Sequence, residues 1–193
     1  MSSDVSLVLL NGGRSRRMGR DKATLEVEGR ALGLRPVEAL GALVAEVVVA
    51  GRPVPALEAR AVADAVPGAG PLAGVVAGLR AVRTPLAVAV ACDMPTLVPA
   101  VVDMLLARLR AEPDLLAACC AGPNGIEPLP LALRARAEAP LGAALDRGER
   151  KLRDALAGLP VAIVPESGWR PLDPLARCFV NWNRPDEIGC ELR

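Results

Sequence analysis

Residues 5–11, VSLVLLN, followed by Gly12 and Gly13, decide the fold of this chain. The run Val5–Leu10 is continuously apolar but for one serine, and a glycine pair ends it, so it predicts a short buried strand. Residues 13–22 then add four arginines and a lysine. Glycines after a strand let bare backbone N–H groups approach a ligand. The pattern predicts a polyphosphate cradle, and the alternative is a solvated basic loop.

Two familiar phosphate-binding loops do not fit this stretch. A Walker A loop needs Gly-Lys-Ser/Thr in direct succession, whereas Arg20 and Asp21 separate Gly19 from Lys22. The glycine spacing is not GxGxxG either. The position of the charge nevertheless favours a ligand, because open α/β sheets bind ligands at the carboxyl ends of their strands.

Composition narrows the class of protein. At 193 residues and 20.0 kDa the chain is expected to form one domain, residues 1–193. One Phe, two Trp and no Tyr leave few side chains for stacking on bases, and a net charge of +1 gives no basic field, so nucleic acid is not an expected partner. With no histidine, a Ser-His-Asp triad, an imidazole base and a His-containing zinc site are excluded.

The cysteines, the N-terminus and the apolar segments together indicate the cellular compartment. Five cysteines without CxxC spacing favour reduced, mostly buried thiols. The N-terminus lacks the basic start of a signal peptide, and the longest apolar region, residues 86–106, is broken by prolines and aspartates. We therefore expect a cytoplasmic protein that does not enter a membrane.

Alternating strands and helices predict a single-domain α/β fold, with a doubly wound, Rossmann-like and mostly parallel sheet. Glycines before Pro71 are typical of a helix start that can face a ligand. We expect strands at 5–10, 46–50, 61–64, 85–92, 114–120 and 161–164, a hairpin or loop at 121–133, helices at 31–44, 71–82, 99–109, 134–146 and 151–159, and a strand from Cys178 leading into a terminal helix.

A lone carboxylate, Asp93, follows the apolar strand at 85–92 and precedes Met94-Pro95. An aspartate at a strand end is often a turn or helix cap. Here it emerges at the same sheet edge as the basic loop, where one carboxylate together with ligand phosphates can hold Mg²⁺. Both interpretations stay open on the residues alone.

The segment LNGGRSRRMGRDK resembles the LxGGxSxRMGxDK signature of the molybdenum cofactor guanylyltransferases, in the nucleotidyltransferase superfamily. The resemblance covers nearly the whole chain and implies the nucleotide-diphospho-sugar transferase type of fold. Further matching blocks follow in the family's order at Gly70–Gly74, Cys92–Pro95, Glu127–Leu129, Gly148–Lys151 and Phe179–Pro185.

This resemblance implies transfer of GMP from GTP to molybdopterin, giving the guanine dinucleotide cofactor and pyrophosphate, with proteins of cofactor biosynthesis or insertion as expected partners. It also implies the site residues. The nucleotide-binding turn would be Leu10, Asn11 and Gly12, the phosphate lysine Lys22, a nucleotide-binding aspartate Asp64, the Mg²⁺ aspartate Asp93, and the asparagines near the second substrate Asn181 and Asn183.

The chemistry agrees with that implication. A phosphate monoester is already an anion, so its attack on the α-phosphorus needs alignment and charge neutralisation more than a general base. We expect Lys22 and Arg17 to stabilise the leaving pyrophosphate, the amides of Gly12 and Gly13 to orient oxygens, and Mg²⁺ on Asp93 to bridge substrate phosphates.

Two residues depart from the family pattern. Asn11 replaces a residue that is usually small, and Ala50 stands where a base-contacting asparagine is often found. The alternatives are a cytidylyltransferase that uses CTP and molybdopterin, a nucleotidyltransferase for sugar phosphates, or a non-catalytic cofactor carrier. The pair of Lys22 and Asp93 argues against the carrier.

Overall fold

The computed structural model describes residues 4–12, 22–27, 29–66, 68–122 and 125–182. The strands are β1 Val5–Asn11, β2 Glu26–Val27, β3 Arg30–Ala31, β4 Glu46–Gly51, β5 Arg60–Val62, β6 Leu86–Ala91, β7 Ala117–Gly122, β8 Gly125–Arg134 and β9 Val161–Val164. The α-helices are α1 Arg35–Leu40, α2 Pro71–Ala81, α3 Pro99–Ala111, α4 Glu138–Asp146, α5 Leu152–Ala157 and α6 Glu166–Trp169, and short 3-10 turns lie at Lys22–Thr24, Leu32–Leu34, Gly41–Leu43, Ala135–Ala137 and Arg177–Phe179.

Seven strands form one sheet in the order β5-β4-β1-β6-β8-β7-β9, and β2 pairs with β3 in a small hairpin. Strand β1 lies between β4 and β6 and runs parallel to both. Strand β8 is antiparallel to β6 and β7, whereas β9 is again parallel to β7. The expected mostly parallel α/β sheet is confirmed, with β8 as its antiparallel member.

Strand β1 is buried along its whole length because both faces of the sheet are covered. Leu7 and Leu9 belong to the hydrophobic cluster on one face, which also contains the apolar side of α3. Val8 and Leu10 belong to the cluster on the opposite face, which contains α2 and α4. The two-residue period of the strand thus divides the core into two layers.

Polar groups fill the amino-terminal edge of the same sheet. The buried Ser6 hydroxyl donates to Glu46 Oε1 at 2.7 Å, and the Arg83 N–H donates to the same oxygen at 2.6 Å. Arg60 lies 3.7 Å from the other Glu46 oxygen. Burial acts to raise the pKa of Glu46, but these hydrogen bonds and the neighbouring arginines outweigh it and lower that pKa.

Two predicted elements are wrong in extent or kind. The helix expected at 31–44 is α-helical only over Arg35–Leu40, because Pro36 lacks the N–H that an earlier turn would need and 3-10 turns flank it. The strand expected from Cys178 is a 3-10 turn, since the Cys178 N–H donates to Asp173 Oδ2. The terminal helix expected next falls among residues 183–193, outside the described part.

Of the hairpin or loop expected at 121–133, the structure shows a hairpin, because β7 and β8 pair antiparallel with Gly122 opposite Gly125. The short helix α6 was not predicted. No helix among the described residues is both long enough and apolar enough to cross a bilayer.

Candidate functional site

A cleft of about 300 Å³ opens at the carboxyl ends of β1, β4 and β6, beside the start of α2. Five residues expected from the sequence line it: Leu10, Asn11, Gly12, Lys22 and Asp93. Parallel strands end at one edge of a sheet, which explains why residues so distant in sequence meet here.

The centre of this cleft is an ion pair. Lys22 Nζ donates to Asp93 Oδ2 at 3.0 Å, and the two side chains are 21% and 18% exposed. Lys22 begins the 3-10 turn after the basic loop, and Asp93 lies in the turn after β6. Both side chains keep some contact with water, which screens the pair and limits its contribution to stability.

Another group lies very close to the Gly12 backbone, as a phosphate-binding turn requires. In this structure that group is the carboxylate of Asp64. A Cβ on Gly12 would lie only 2.4 Å from Asp64 Oδ2, so no side chain fits there. Asp64 follows β5, two strands away from β1 in the sheet order. The absence of a side chain at Gly12 therefore lets Asp64 reach the end of β1.

Asp64 carries an unsatisfied acceptor. Its Oδ1 is buried and has no hydrogen-bond partner among the described residues, and burial raises the pKa of this carboxyl above its ordinary value. A buried acceptor without a donor destabilises the fold by about 1–3 kcal/mol. Such an atom beside a cleft is suited to a ligand that brings an N–H donor or a cation.

The side chain of Asn11 fastens two turns of the cleft together. It is 3% exposed; its Nδ2 donates to the Arg52 carbonyl at 2.9 Å, and its Oδ1 accepts a weak hydrogen bond from Cys92 Sγ at 3.5 Å. The Arg52 N–H in turn donates to the Asn11 carbonyl at 3.2 Å. Gly51 completes the turn: its φ is 110°, and a Cβ there would lie 2.5 Å from the Asn11 carbonyl oxygen.

The C-terminal segment reaches the same edge. The backbone N–H of Trp182 donates to the Asp93 carbonyl at 2.9 Å. Its indole is 2% exposed and packs with Leu32, Leu25 and Val180. The indole Nε1 is buried and finds no hydrogen-bond partner in the part of the chain that the structure describes. Trp182 thus joins the turn that carries Asp93 to the segment that follows Lys22.

The helix α2 begins at the cleft. Gly70, its N-cap residue, has a φ of 77°, and both Gly70 and Pro71 line the cleft. The amino end of an α-helix carries a partial positive charge that favours anions. The interpretation of this glycine-rich stretch as a helix start beside a ligand agrees with its position.

The residues present fit one metal ion held jointly with a ligand. Among the described residues there is no group of three His, Cys, Asp or Glu side chains that could hold a metal by themselves. Asp93 offers a single carboxylate at the cleft, and Mg²⁺ is commonly bound by one or two carboxylates plus substrate phosphates.

Other predicted residues have different outcomes. Asn181 is exposed, its amide donates to the Phe179 carbonyl at 3.3 Å, and it is not among the residues that line the cleft. Gly13, Arg17 and Asn183 lie outside the described residues, so their roles stay predictions.

Sequence reasoning did not predict four lining residues as part of the site, namely Arg52, Ala91, Cys92 and Leu129. A signal for Arg52 was present, since a glycine turn with a cation follows the second apolar strand. Leu129 lies in β8, whose antiparallel course brings it to the cleft. A single sequence gives no indication of that crossing.

A mostly parallel sheet with a glycine-bounded cleft at its carboxyl edge is typical of nucleotide-binding α/β proteins. The model of the MobA-like NTP transferase domain matches residues 7–162. The chain belongs to this family. The family resemblance predicted from its motifs is confirmed.

Similar proteins agree with this assignment. A probable molybdenum cofactor guanylyltransferase of Chloroflexus aggregans is 37% identical over 190 residues, covering 95% of this chain and 91% of the relative. One of Opitutus terrae is 36% identical, covering 100% and 98%. The crystal structure of molybdopterin-guanine dinucleotide biosynthesis protein A from Archaeoglobus fulgidus superposes with a TM-score of 0.79 at 27% identity, covering 95% of this chain and 94% of that one.

Proposed function

We propose that this protein transfers GMP from GTP to molybdopterin, forming molybdopterin guanine dinucleotide and releasing pyrophosphate. The observation that carries the proposal is the Lys22–Asp93 pair in the cleft at the carboxyl edge of β1 and β6. Membership of the family and relatives named as guanylyltransferases over nearly their full length support it.

The reaction needs little proton transfer. An oxygen of the molybdopterin phosphate attacks the α-phosphorus of GTP, and the bond from that phosphorus to the oxygen bridging to the β-phosphorus breaks. Pyrophosphate leaves with that oxygen. Because the nucleophile is already an anion, the protein must align the reactants and neutralise charge, which a chain without histidine can do.

Lys22 supplies the charge neutralisation. A triphosphate entering the cleft offers several anionic oxygens to Nζ, which at present donates to Asp93. We propose that Lys22 turns from the carboxylate to the phosphates, with Arg17 assisting, and that the amides of Gly12 and Gly13 orient phosphate oxygens.

Asp93 is the residue that would hold Mg²⁺ once Lys22 has moved toward the phosphates. When bound, the ion neutralises charge on the phosphates and helps to orient them. In the structure the lysine neutralises this carboxylate, and a bound cation would take over that neutralisation. The backbone hydrogen bond from Trp182 to Asp93 holds this turn in place.

Asp64 is proposed to bind the nucleotide through its unpartnered oxygen. Guanine presents N–H groups at N1 and N2, and a carboxylate accepts both. Oδ1 of Asp64, buried without a donor, gains a hydrogen bond when such a group arrives. The C-terminal asparagines Asn181 and Asn183 are proposed to contact molybdopterin.

We further propose that the protein works in the cytoplasm and passes its product to proteins of cofactor biosynthesis or insertion. The described cysteines support a reducing compartment, because Cys92, Cys119, Cys120 and Cys178 are all buried and unbridged. Burial raises the pKa of Cys119 to about 11, so this thiol remains protonated at neutral pH.

Calorimetry with GTP, CTP and ATP, with and without Mg²⁺, tests the proposal on the wild type and on Lys22→Ala. We expect GTP to bind most tightly, Mg²⁺ to strengthen binding, and the substitution to weaken it. Preference for CTP would keep the mechanism and change the product. The departures at Asn11 and Ala50 make this comparison necessary. No binding of any nucleotide would overturn the proposal.

A further inference from the structure

Arg52 is a cation of the cleft to which the mechanism gives no part. It lies in the turn after β4, it is exposed, and it lines the same cleft as Lys22 and Asp93. Its backbone is held from both sides by Asn11, which accepts from the Arg52 N–H at 3.2 Å and donates from Nδ2 to the Arg52 carbonyl at 2.9 Å. The turn is therefore fixed in position.

The sheet order places Arg52 away from the reacting phosphates. Asp93 follows β6, and Arg52 follows β4, with β1 between them. Neighbouring strands lie about 4.8 Å apart, so the turns after β6 and β4 are separated by roughly 10 Å. In a nucleotide the ribose separates the base from the α-phosphate by a distance similar to that between these two turns. If the phosphates occupy the Lys22–Asp93 side, the base reaches the β4 side.

Asp64 provides a group of opposite chemistry after the neighbouring strand. Asp64 follows β5, the next strand beyond β4, and its carboxylate lies against Gly12. The guanidinium of Arg52 only donates hydrogen bonds, whereas the carboxylate of Asp64, which lies against the cleft residue Gly12, supplies acceptors.

We propose that Arg52 recognises the base by donating to O6 and N7 of guanine, and that Asn11 is the positioning residue that holds Arg52 for this contact. The proposal rests on the proposed function and adds a specificity-determining residue to it. Two adjacent acceptors on one edge match the planar fork of an arginine, and among the bases only guanine presents that pair. Adenine and cytosine each present an amino group at the corresponding edge.

The pair of Asn11 and Arg52 accounts for both departures from the family pattern. Ala50 provides no side-chain contact to a base, and Asn11 is larger than the usual residue at its position. In this chain the Asn11 side chain is used within the protein, since both of its polar atoms contact other residues. Arg52, which Asn11 positions, recognises the base instead.

The test compares GTP with two analogues by calorimetry in the presence of Mg²⁺. 7-Deaza-GTP lacks the N7 acceptor, whereas inosine triphosphate keeps O6 and N7 and lacks the 2-amino group. We expect the wild type to bind 7-deaza-GTP roughly 10-fold more weakly than GTP, in line with the loss of half of a bidentate contact. Arg52→Ala should weaken GTP binding and bring the two affinities together. It should leave the ratio of GTP to inosine triphosphate unchanged.

Asn11→Ala should also reduce the preference for GTP over 7-deaza-GTP, by a smaller factor than Arg52→Ala does. Its circular dichroism spectrum should match that of the wild type. Arg83→Ala is the matched control: it removes an exposed arginine at the opposite edge of the sheet, and all ratios should keep their wild-type values. A merely structural effect of Asn11→Ala would lower all affinities together.

Two results overturn the proposal in distinguishable ways. If the wild type binds GTP but Arg52→Ala leaves the ratio of GTP to 7-deaza-GTP unchanged, Arg52 does not recognise the base; an equal loss for GTP, CTP and ATP would assign it to the phosphates. If the wild type does not bind GTP, the proposed function fails as well.

Discussion

The two edges of the central sheet differ in how their polar groups are satisfied. At the amino-terminal edge, Ser6 and the Arg83 backbone both donate to Glu46, which also faces Arg60. At the carboxyl edge, a buried oxygen of Asp64 and the buried indole nitrogen of Trp182 have no hydrogen-bond partner within residues 4–12, 22–27, 29–66, 68–122 and 125–182. The first edge is complete without a ligand, whereas the second keeps unsatisfied groups beside a cleft. Changes at the first edge should therefore affect stability without affecting activity, whereas changes at the second edge should affect ligand binding or activity whether or not stability also changes.

The largest effect is expected from Lys22→Ala. Removing the cation that neutralises charge on the leaving group should lower kcat by about 100-fold or more. The melting temperature should change little, because the Lys22–Asp93 pair is partly exposed. Initial rates of pyrophosphate release, measured beside a thermal melt, check both expectations.

Arg110→Ala supplies the control for that experiment. Arg110 pairs with Asp4 at the amino-terminal edge, and both side chains are more than 40% exposed. The Arg110→Ala variant should release pyrophosphate at the wild-type rate. A comparable loss of rate in both variants would mean that the effect of Lys22→Ala comes from total charge and not from the cleft.

Trp182 comes next. Trp182→Ala removes a buried indole from a small cluster with Leu32, so we expect a lower melting temperature and a kcat reduced by about 10-fold, as the turn carrying Asp93 loses its support. Trp182→Phe keeps most of the packing and removes an N–H that has no partner. It should retain both properties. A Phe variant that melts normally but is inactive would instead assign the indole N–H to a ligand.

Ser6→Ala, at the amino-terminal edge, should lower stability and leave activity unchanged. It removes the donor to Glu46 Oε1 and leaves Thr84 without a neighbouring hydroxyl, which should lower the free energy of unfolding by about 1–2 kcal/mol. The steady-state rate at 25 °C should stay at the wild-type value. Urea titration measures the first quantity, and a marked fall in rate at full folding would contradict the division between the two edges.

The smallest expected effect concerns Asp64. Burial raises the pKa of this carboxyl in the folded protein, so its ionised form destabilises the fold, and this penalty is absent below the unfolded value of 3.8 and develops as pH rises through the folded pKa. Asp64→Asn should raise the melting temperature by about 2–4 °C at pH 7. The difference should disappear near pH 3.

The same variant should bind GTP more weakly, because a carboxamide cannot accept from two N–H groups with the strength of a carboxylate. If Asp64 serves to bind a ligand, its replacement should raise the stability of the protein and lower its affinity for GTP. An Asn variant that is less stable than the wild type at pH 7 would show that Asp64 supports the fold.

Much of this arrangement could be predicted from local sequence. Strands β1, β4 and β6 are short apolar runs ended by glycine or aspartate, and such runs fix both the strands and the edge at which Asn11, Gly12 and Asp93 meet. The helix α3 was predicted from its apolar spacing and begins at the expected proline, Pro99.

The remaining features depend on contacts between distant segments. That Asn11 would bond to Arg52 and Cys92, or that Trp182 would reach the Asp93 carbonyl, requires the strand order, which local periodicity does not encode. The 3-10 turn at Arg177–Phe179 was missed for the same reason, since the buried side chain of Asp173 binds the Cys178 N–H.

The most direct test of the account measures products. The protein is incubated with molybdopterin, Mg²⁺ and either GTP or CTP, and pyrophosphate and the dinucleotide are quantified together. We expect one pyrophosphate for each molybdopterin guanine dinucleotide, a much faster reaction with GTP than with CTP, and product formation about 100-fold slower or more with Lys22→Ala. Equal or faster turnover of CTP, or pyrophosphate release without a dinucleotide, would contradict guanylyl transfer in this cleft.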